Sequence, residues 1–287
     1  MKALYLLLLL FISSCGNNAT QTFKTVDISN IKSQLQPEVK DLFLINATDA
    51  DSQGVNLYIA PKNVSSEAYT MMYYGNLFAG ILAHAAFEGV RQESRASDEY
   101  KKSNSSLAKH RKDIKAISNK FILNKALGNY SKFNLTTNKL EADIDSWRIK
   151  IAPDFVISNN KNEISIIARI SLSKNDKEQN NLHSKTIFVQ SNQPIHSIDK
   201  LFINNALHLK KTLSVLVFSA VDLFIKDSIG VLAREEKLKT IKYTIDSKKI
   251  VERGKIIFKN CDSIIFESLR KEIKLVVTKN INSCEKS

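Results

Sequence analysis

Proline, glycine and cysteine are scarce in this chain of 287 residues. Four prolines and eight glycines exclude collagen-like sequences and chains dominated by flexible linkers. Three cysteines are too few for a small fold held together by several disulfides. With 43% hydrophobic and 25% charged residues, the remaining composition is that of a folded domain, which excludes wholesale disorder.

An unbroken hydrophobic run of nine residues lies at positions 4–12. As a helix it would span about 14 Å, which is less than half of the ~30 Å hydrocarbon core of a bilayer. The run therefore predicts the hydrophobic region of a signal peptide and not a membrane span. The last residue of the run begins the tetrapeptide Ile12-Ser13-Ser14-Cys15.

This tetrapeptide resembles the lipobox of bacterial lipoproteins, in which an aliphatic residue and two small residues precede a cysteine. The resemblance covers the first 16 residues and identifies a processing class, not a fold. It implies cleavage after Ser14, diacylglycerol on the Cys15 sulfur and a fatty acid on the new amino group. Each buried CH₂ contributes about 0.8 kcal/mol, so these chains would hold the protein on a membrane. A secretory signal with a coincidental cysteine is the alternative.

The resemblance also bears on location and on the remaining cysteines. Gly16 follows the cysteine where aspartate would signal retention in the inner membrane, which favours the outer membrane, facing the periplasm. Without Cys15, the chain keeps the pair Cys261 and Cys284. In an oxidising compartment this pair predicts a disulfide, with two free thiols as the alternative.

We divide the chain into four parts by composition and pattern. They are a signal peptide at 1–14, a tether and N-terminal segment at 15–60, a helical hairpin at 61–130 and an α+β domain at 131–287. Loss of Lys2 with the leader lowers the net charge from +13 to +12.

Residues 68–87 contain no formal charge, and Gly75, Ala79 and Ala83 place small side chains in one stripe on a helix. Three interpretations stay open for this segment. The first is a buried helix packed on a partner helix at 106–127. The second is a helix lying in the lipid headgroups, and the third is a true membrane span.

The next stretch, residues 91–125, holds ten Lys/Arg and four Asp/Glu. Its charge of +6 is half of what remains after cleavage. We expect it to contact anionic lipid or another envelope protein. The residues predicted to make this contact are Arg91, Arg95, Lys101, Lys102, Lys109, Arg111 and Lys112.

The last part predicts alternating strands around one long helix. Strands are expected at 147–151, ended by Pro153, and at 164–172, 186–190, 241–245 and 255–258. A helical stretch is expected from Ser197, and its apolar part at 213–225 is too short and too closely flanked by charges for a span. Residues 263–277 favour a helix. The predicted fold class is α+β, an N-terminal helical hairpin plus an antiparallel sheet packed with a long helix.

Motifs for catalysis are missing from the sequence. It has no Gly-rich phosphate loop, no Gly-x-Ser-x-Gly elbow and no His-Glu-x-x-His. Of the histidines, His84 fits a packed core position, whereas His183 and His196 fit solvent-facing loops. No catalytic residue, metal ligand or cofactor is predicted.

Arginine supplies only 8 of the 42 basic residues, which argues against nucleic-acid binding because bidentate phosphate recognition favours guanidinium. Compositional bias is a competing explanation for the lysines. The expected role is therefore that of a membrane-tethered envelope lipoprotein with a non-catalytic accessory or binding function. The alternatives are a tethered hydrolase acting on an envelope polymer and an inner-membrane protein with a transmembrane helix at 68–87.

Overall fold

We describe a computed structural model of the chain. It describes residues 43–47, 54–60, 98, 101–127, 147–174, 181–191, 193–245 and 247–278. The chain divides into two compact units, 1–40 and 41–287, and every described residue belongs to the second unit. The predicted signal peptide and the uncharged segment 68–87 lie outside the described residues.

The described part of the chain holds nine strands and a smaller number of helices. The strands are β1 (Phe43–Ala47), β2 (Asn56–Ile59), β3 (Trp147–Ile157), β4 (Ile164–Lys174), β5 (Asn181–Gln190), β6 (Lys239–Ile245), β7 (Lys248–Lys259), β8 (Ser263–Ser268) and β9 (Ile273–Val277). The helices are a 3₁₀ helix (Ser105–His110), α1 (Arg111–Lys115), α2 (Asn119–Leu127), α3 (Ile198–Leu201) and α4 (Ile203–Ser228).

All nine strands form one mixed sheet in the order β1-β3-β4-β5-β9-β8-β7-β6, with β2 also paired to β3. Three of the pairings are parallel, namely β1 with β3, β2 with β3, and β5 with β9. The other pairings are antiparallel. The prediction of an antiparallel sheet is therefore wrong, because the parallel partners are far apart in sequence and leave no local signal.

The predicted fold class is wrong in its helical hairpin as well. Within 106–127 the structure has a 3₁₀ helix and two short α-helices instead of one continuous helix. The break lies at Ile117, whose carbonyl oxygen accepts a hydrogen bond from the Val55 N–H at 2.9 Å. A new helix then starts at Ser118, whose hydroxyl accepts from the Phe121 N–H at 3.0 Å. Strands, not helices, dominate the fold.

The helix expected at 263–277 is also absent, since these residues form the antiparallel strands β8 and β9. Their turn is stabilised by Ser268, whose carbonyl accepts from the Lys271 N–H at 2.9 Å. Lys271 has a φ of 66°, a left-handed conformation that does not fit a regular right-handed helix. Apolar residues on either side of this turn happened to fall at helical spacing.

Pro153 does not end a strand, contrary to prediction, because β3 continues through it to Ile157. β1 pairs with residues 147–151 and β2 with residues 154–157. Proline has no N–H to donate to a neighbouring strand. Pro153 lies between the residues that pair with β1 and those that pair with β2.

The long helix α4 covers one face of the sheet. His183 of β5 contacts the Phe224 ring of α4 at 5.3 Å between centroids, so α4 lies on the face that carries Leu172, the cross-strand partner of His183. The opposite face holds a second apolar layer that includes Ile167, Phe188, Phe266, Val276, Ile241 and Tyr243. None of the helices in the described part of the chain combines the length and apolarity that a membrane crossing requires.

Candidate functional site

Two features stand out on this framework: an ionic cluster at the C-terminal end of α4, and a basic helical surface at 101–127. The ionic cluster is organised by the way α4 ends. Gly230, with a φ of 72°, donates its N–H to the Asp227 carbonyl at 3.0 Å, and the Val231 N–H reaches Lys226 at 2.9 Å. These two bonds form a Schellman cap, which turns the chain back so that Arg234 reaches Asp227.

Asp227 and Glu267 are the two carboxylates of the cluster, and both side chains are almost fully buried. Asp227 is bonded to His183 Nε2 at 2.8 Å and to the Arg234 guanidinium. Glu267 accepts from Lys185 Nζ at 2.8 Å and from Arg234 Nε at 3.1 Å. The five side chains connect β5, α4, the segment after α4 and β8.

The carboxylates Asp227 and Glu267 face the cations Lys185 and Arg234, and these contacts set the pKa directions. Burial raises the pKa of Glu267, but the hydrogen bond and charge of Lys185, with Arg234 and Lys271, outweigh burial and hold this pKa below its ordinary value. For Arg234, burial lowers the pKa, but Asp227 and Glu267 outweigh it, so the pKa is raised. Both groups therefore stay charged across the physiological pH range.

The contact between His183 and Asp227 has the form of a base with its orienting carboxylate. However, Arg234 shares the same carboxylate, and the Asp227 side chain is only 2% exposed. A carboxylate bound by a guanidinium is already neutralised, which favours a role in holding four elements together. His183 was expected to face solvent, but its side chain is only 28% exposed because β5 turns it toward α4. His196 is exposed, as predicted.

A shallow concavity of about 310 Å³ lies beside the cluster. Its lining consists of Ser184, Lys185, Thr186, Arg270, Lys271 and Glu272. The lining therefore offers three cationic side chains, two hydroxyls and one carboxylate. This composition would suit a small anion better than a cation.

The basic surface is built on helices that are fixed to the edge of the sheet. Asn104 imitates a paired strand residue, because its Oδ1 accepts from the Ile59 N–H at 2.8 Å and its Nδ2 donates to the Ile59 carbonyl at 3.1 Å. Leu107, Ile117 and Ile122 are buried beneath the helices. Their charged residues are thereby held on the outside.

Residues 101–127 carry eight Lys/Arg and one Asp, and all nine of these side chains are exposed. Of the contact residues predicted from sequence, the structure brings together Lys101, Lys102, Lys109, Arg111 and Lys112 on this helical segment. Arg91 and Arg95 lie outside the described residues.

Lys109 is the member of this set with an acidic partner among the described ion pairs: its Nζ lies 2.7 Å from Asp199 Oδ1. The hydrogen bonds of Lys109 and then His110 hold the pKa of Asp199 below its ordinary value. The His110 ring also stacks on Phe202, with centroids 4.0 Å apart and an interplanar angle of 8°. These contacts join the 3₁₀ helix to α3. A second open concavity of about 480 Å³, lined by Ser106, Lys109 and His196 among others, lies beside this junction.

The predicted cysteine sites stay predictions. Cys15 and Cys284 lie outside the described residues. Cys261 is disulfide-bonded, and its pairing with Cys284 stays a prediction.

Sequence reasoning missed the whole ionic cluster, because its members are separated by up to 84 positions and none belongs to a motif. Among the described residues, no group of three or more His, Cys, Asp or Glu side chains could hold a metal ion. No protein-family model, no curated protein and no solved structure matches the chain.

Proposed function

We propose that this protein is a bacterial envelope lipoprotein, held on a membrane by acyl chains on Cys15, with a non-catalytic binding role exercised through its basic helical surface. The observation that carries the binding role is the exposed set of eight cations against one acid at 101–127. The lipobox-like sequence Ile12-Ser13-Ser14-Cys15 supports the anchor.

Anchoring and surface charge support each other physically. Anionic headgroups attract each lysine or arginine near a membrane surface by about 1 kcal/mol. A protein already tethered by acyl chains stays within reach of those headgroups, so even modest attraction is effective. The outer membrane facing the periplasm is the location that Gly16 favours.

Radiolabelled palmitate tests the anchor. We expect label in the wild-type chain and none in a Cys15→Ser variant, whereas Cys261→Ser should be labelled like the wild type. Label that survives Cys15→Ser would refute the proposal. Carbonate extraction of Cys15→Ser addresses the alternative of a membrane span at 68–87, because a spanning chain would stay in the membrane fraction without acyl chains.

A further inference from the structure

Large apolar side chains are exposed on α2, which carries Phe121, and on α4, which carries Leu207 and Val215. Phe121 is 45% exposed, Leu207 is 58% exposed and Val215 is 54% exposed. Single exposed apolar residues are common on protein surfaces. These three are notable because lysines lie between them.

The lysines link the apolar side chains into one surface. Lys210 Nζ of α4 lies 5.5 Å from the centroid of the Phe121 ring. Lys125 Nζ, on the same helix α2 as Phe121, lies 6.0 Å from that centroid. Lys211 follows Leu207 by four positions and precedes Val215 by four, so the three share one face of α4. We call this surface the α2–α4 patch, which consists of Phe121, Lys125, Leu207, Lys210, Lys211 and Val215.

No acid interrupts the patch in sequence. α2 contains no Asp or Glu, and α4 has none before Asp222, which is paired with Lys226 at 2.6 Å. The α2 part of the patch also belongs to the basic segment 101–127. A surface with this charge is complementary to an anionic partner.

The geometry points to the surface of an anionic bilayer as that partner, and we infer that the α2–α4 patch is a membrane-contacting face that acts in addition to the acyl anchor. This inference rests on the envelope location proposed above. Protein–protein interfaces are enriched in aromatic residues, Met and Arg and depleted in Lys. Here every basic residue is lysine, whose long stem follows apolar surface while its ammonium group reaches the headgroups. Helices that lie in the interface carry Lys or Arg on their polar face and side chains such as Phe and Leu on the face that enters the membrane.

The test uses the chain from residue 15 onward with Cys15→Ser, so that neither the leader nor acyl chains contribute. We expect it to co-sediment with vesicles that contain phosphatidylglycerol and not with vesicles of pure phosphatidylcholine. The double variant Phe121→Ala/Leu207→Ala should bind about tenfold more weakly. Lys210→Gln/Lys211→Gln should lose about fivefold for each lysine.

Matched controls lie on the β6–β7 hairpin. Val251→Ala/Phe258→Ala removes side chains of similar exposure, 58% and 47%, and Lys242→Gln/Lys249→Gln removes the same charge from exposed positions. Both controls should bind like the parent chain. Lys210 is half-buried and the other substituted side chains are exposed, so folding should be preserved in all four variants.

Three results would overturn the inference. The first is that the parent chain binds both kinds of vesicle equally or binds neither. The second is that the controls lose as much binding as the patch variants. The third is that the patch variants bind like the parent chain, which would show that the patch does not contact the bilayer. The proposed anchor fails separately. It is refuted if palmitate labelling does not depend on Cys15, whatever the vesicles show.

Discussion

At the scale of single residues, the ionic cluster depends on backbone conformation as much as on charge. Gly230 permits the turn that brings Arg234 back to Asp227. Nothing in the local sequence distinguishes Asp227 or Glu267 from solvated acids, because their cationic partners come from other strands and loops. A glycine after a helical pattern does predict a helix end. Tertiary packing decides which carboxylate then lies close to Arg234.

Gly230→Ala should destabilise the protein by about 1 kcal/mol. Its φ of 72° is unfavourable for a residue with a Cβ, yet no atom lies within 4 Å of where that Cβ would be. The cost is therefore conformational and not steric. Gly230→Asn is the matched control and should cost less, since asparagine tolerates the left-handed region. Urea unfolding measures both, and an alanine variant as stable as the wild type would contradict the account.

Glu267→Gln should reduce both stability and its dependence on pH. The pKa of Glu267 lies below its ordinary value of 4.5 in the folded state, so its contribution is present above pH 4.5 and is lost as pH falls through the folded pKa. At pH 7 the variant should lose about 2 kcal/mol. Its free energy of unfolding should then fall less than that of the wild type on acidification.

Glu235→Gln is the control for this pH profile. Glu235 pairs with Lys239 at 2.6 Å, but both side chains are well exposed, and such pairs contribute little. We expect an unchanged profile for this variant. If the two variants show the same pH dependence of unfolding, the cluster around Glu267 does not stabilise the fold.

At the scale of elements, local pattern predicted most strands and the long helix. The alternation at 164–172 lies within β4, and Ser197 caps α3 by accepting from the Lys200 N–H at 3.2 Å. The failures have local causes too: a left-handed turn at Lys271 divides β8 from β9, and a new cap at Ser118 divides the expected helix. Turns and helix caps can override the structure that hydrophobic spacing predicts. At Lys271 and Ser118 they determined where the strands and helices begin and end.

Ser118→Ala should loosen the start of α2. The Ser118 hydroxyl accepts from the Phe121 N–H, and loss of such a cap costs about 1 kcal/mol. Amide exchange at Phe121 should accelerate, whereas Ser118→Asp should keep the wild-type rate because aspartate also caps. Equal exchange rates in wild type and Ser118→Ala would show that packing alone fixes α2.

At the scale of the whole molecule, the sequence could not predict the mixed sheet. β5 and β9 are parallel neighbours although α4 and three strands separate them in the chain. Which strands become neighbours depends on which faces of the sheet other elements must cover, and α4 covers only one of the two faces. The basic segment 101–127 was visible as composition, but its fixed attachment through Asn104 to the edge strand β2 was not.

Our central proposal also concerns the whole molecule: a folded, β-rich protein is tethered to an envelope membrane through one lipidated cysteine. The mass of the N-terminal tryptic peptide of the membrane-extracted protein tests this claim most directly. We predict a peptide that begins at Cys15, ends at Lys24 and carries diacylglycerol on sulfur and a fatty acid on its amino group. A peptide that begins elsewhere, or an unmodified Cys15, would contradict the claim.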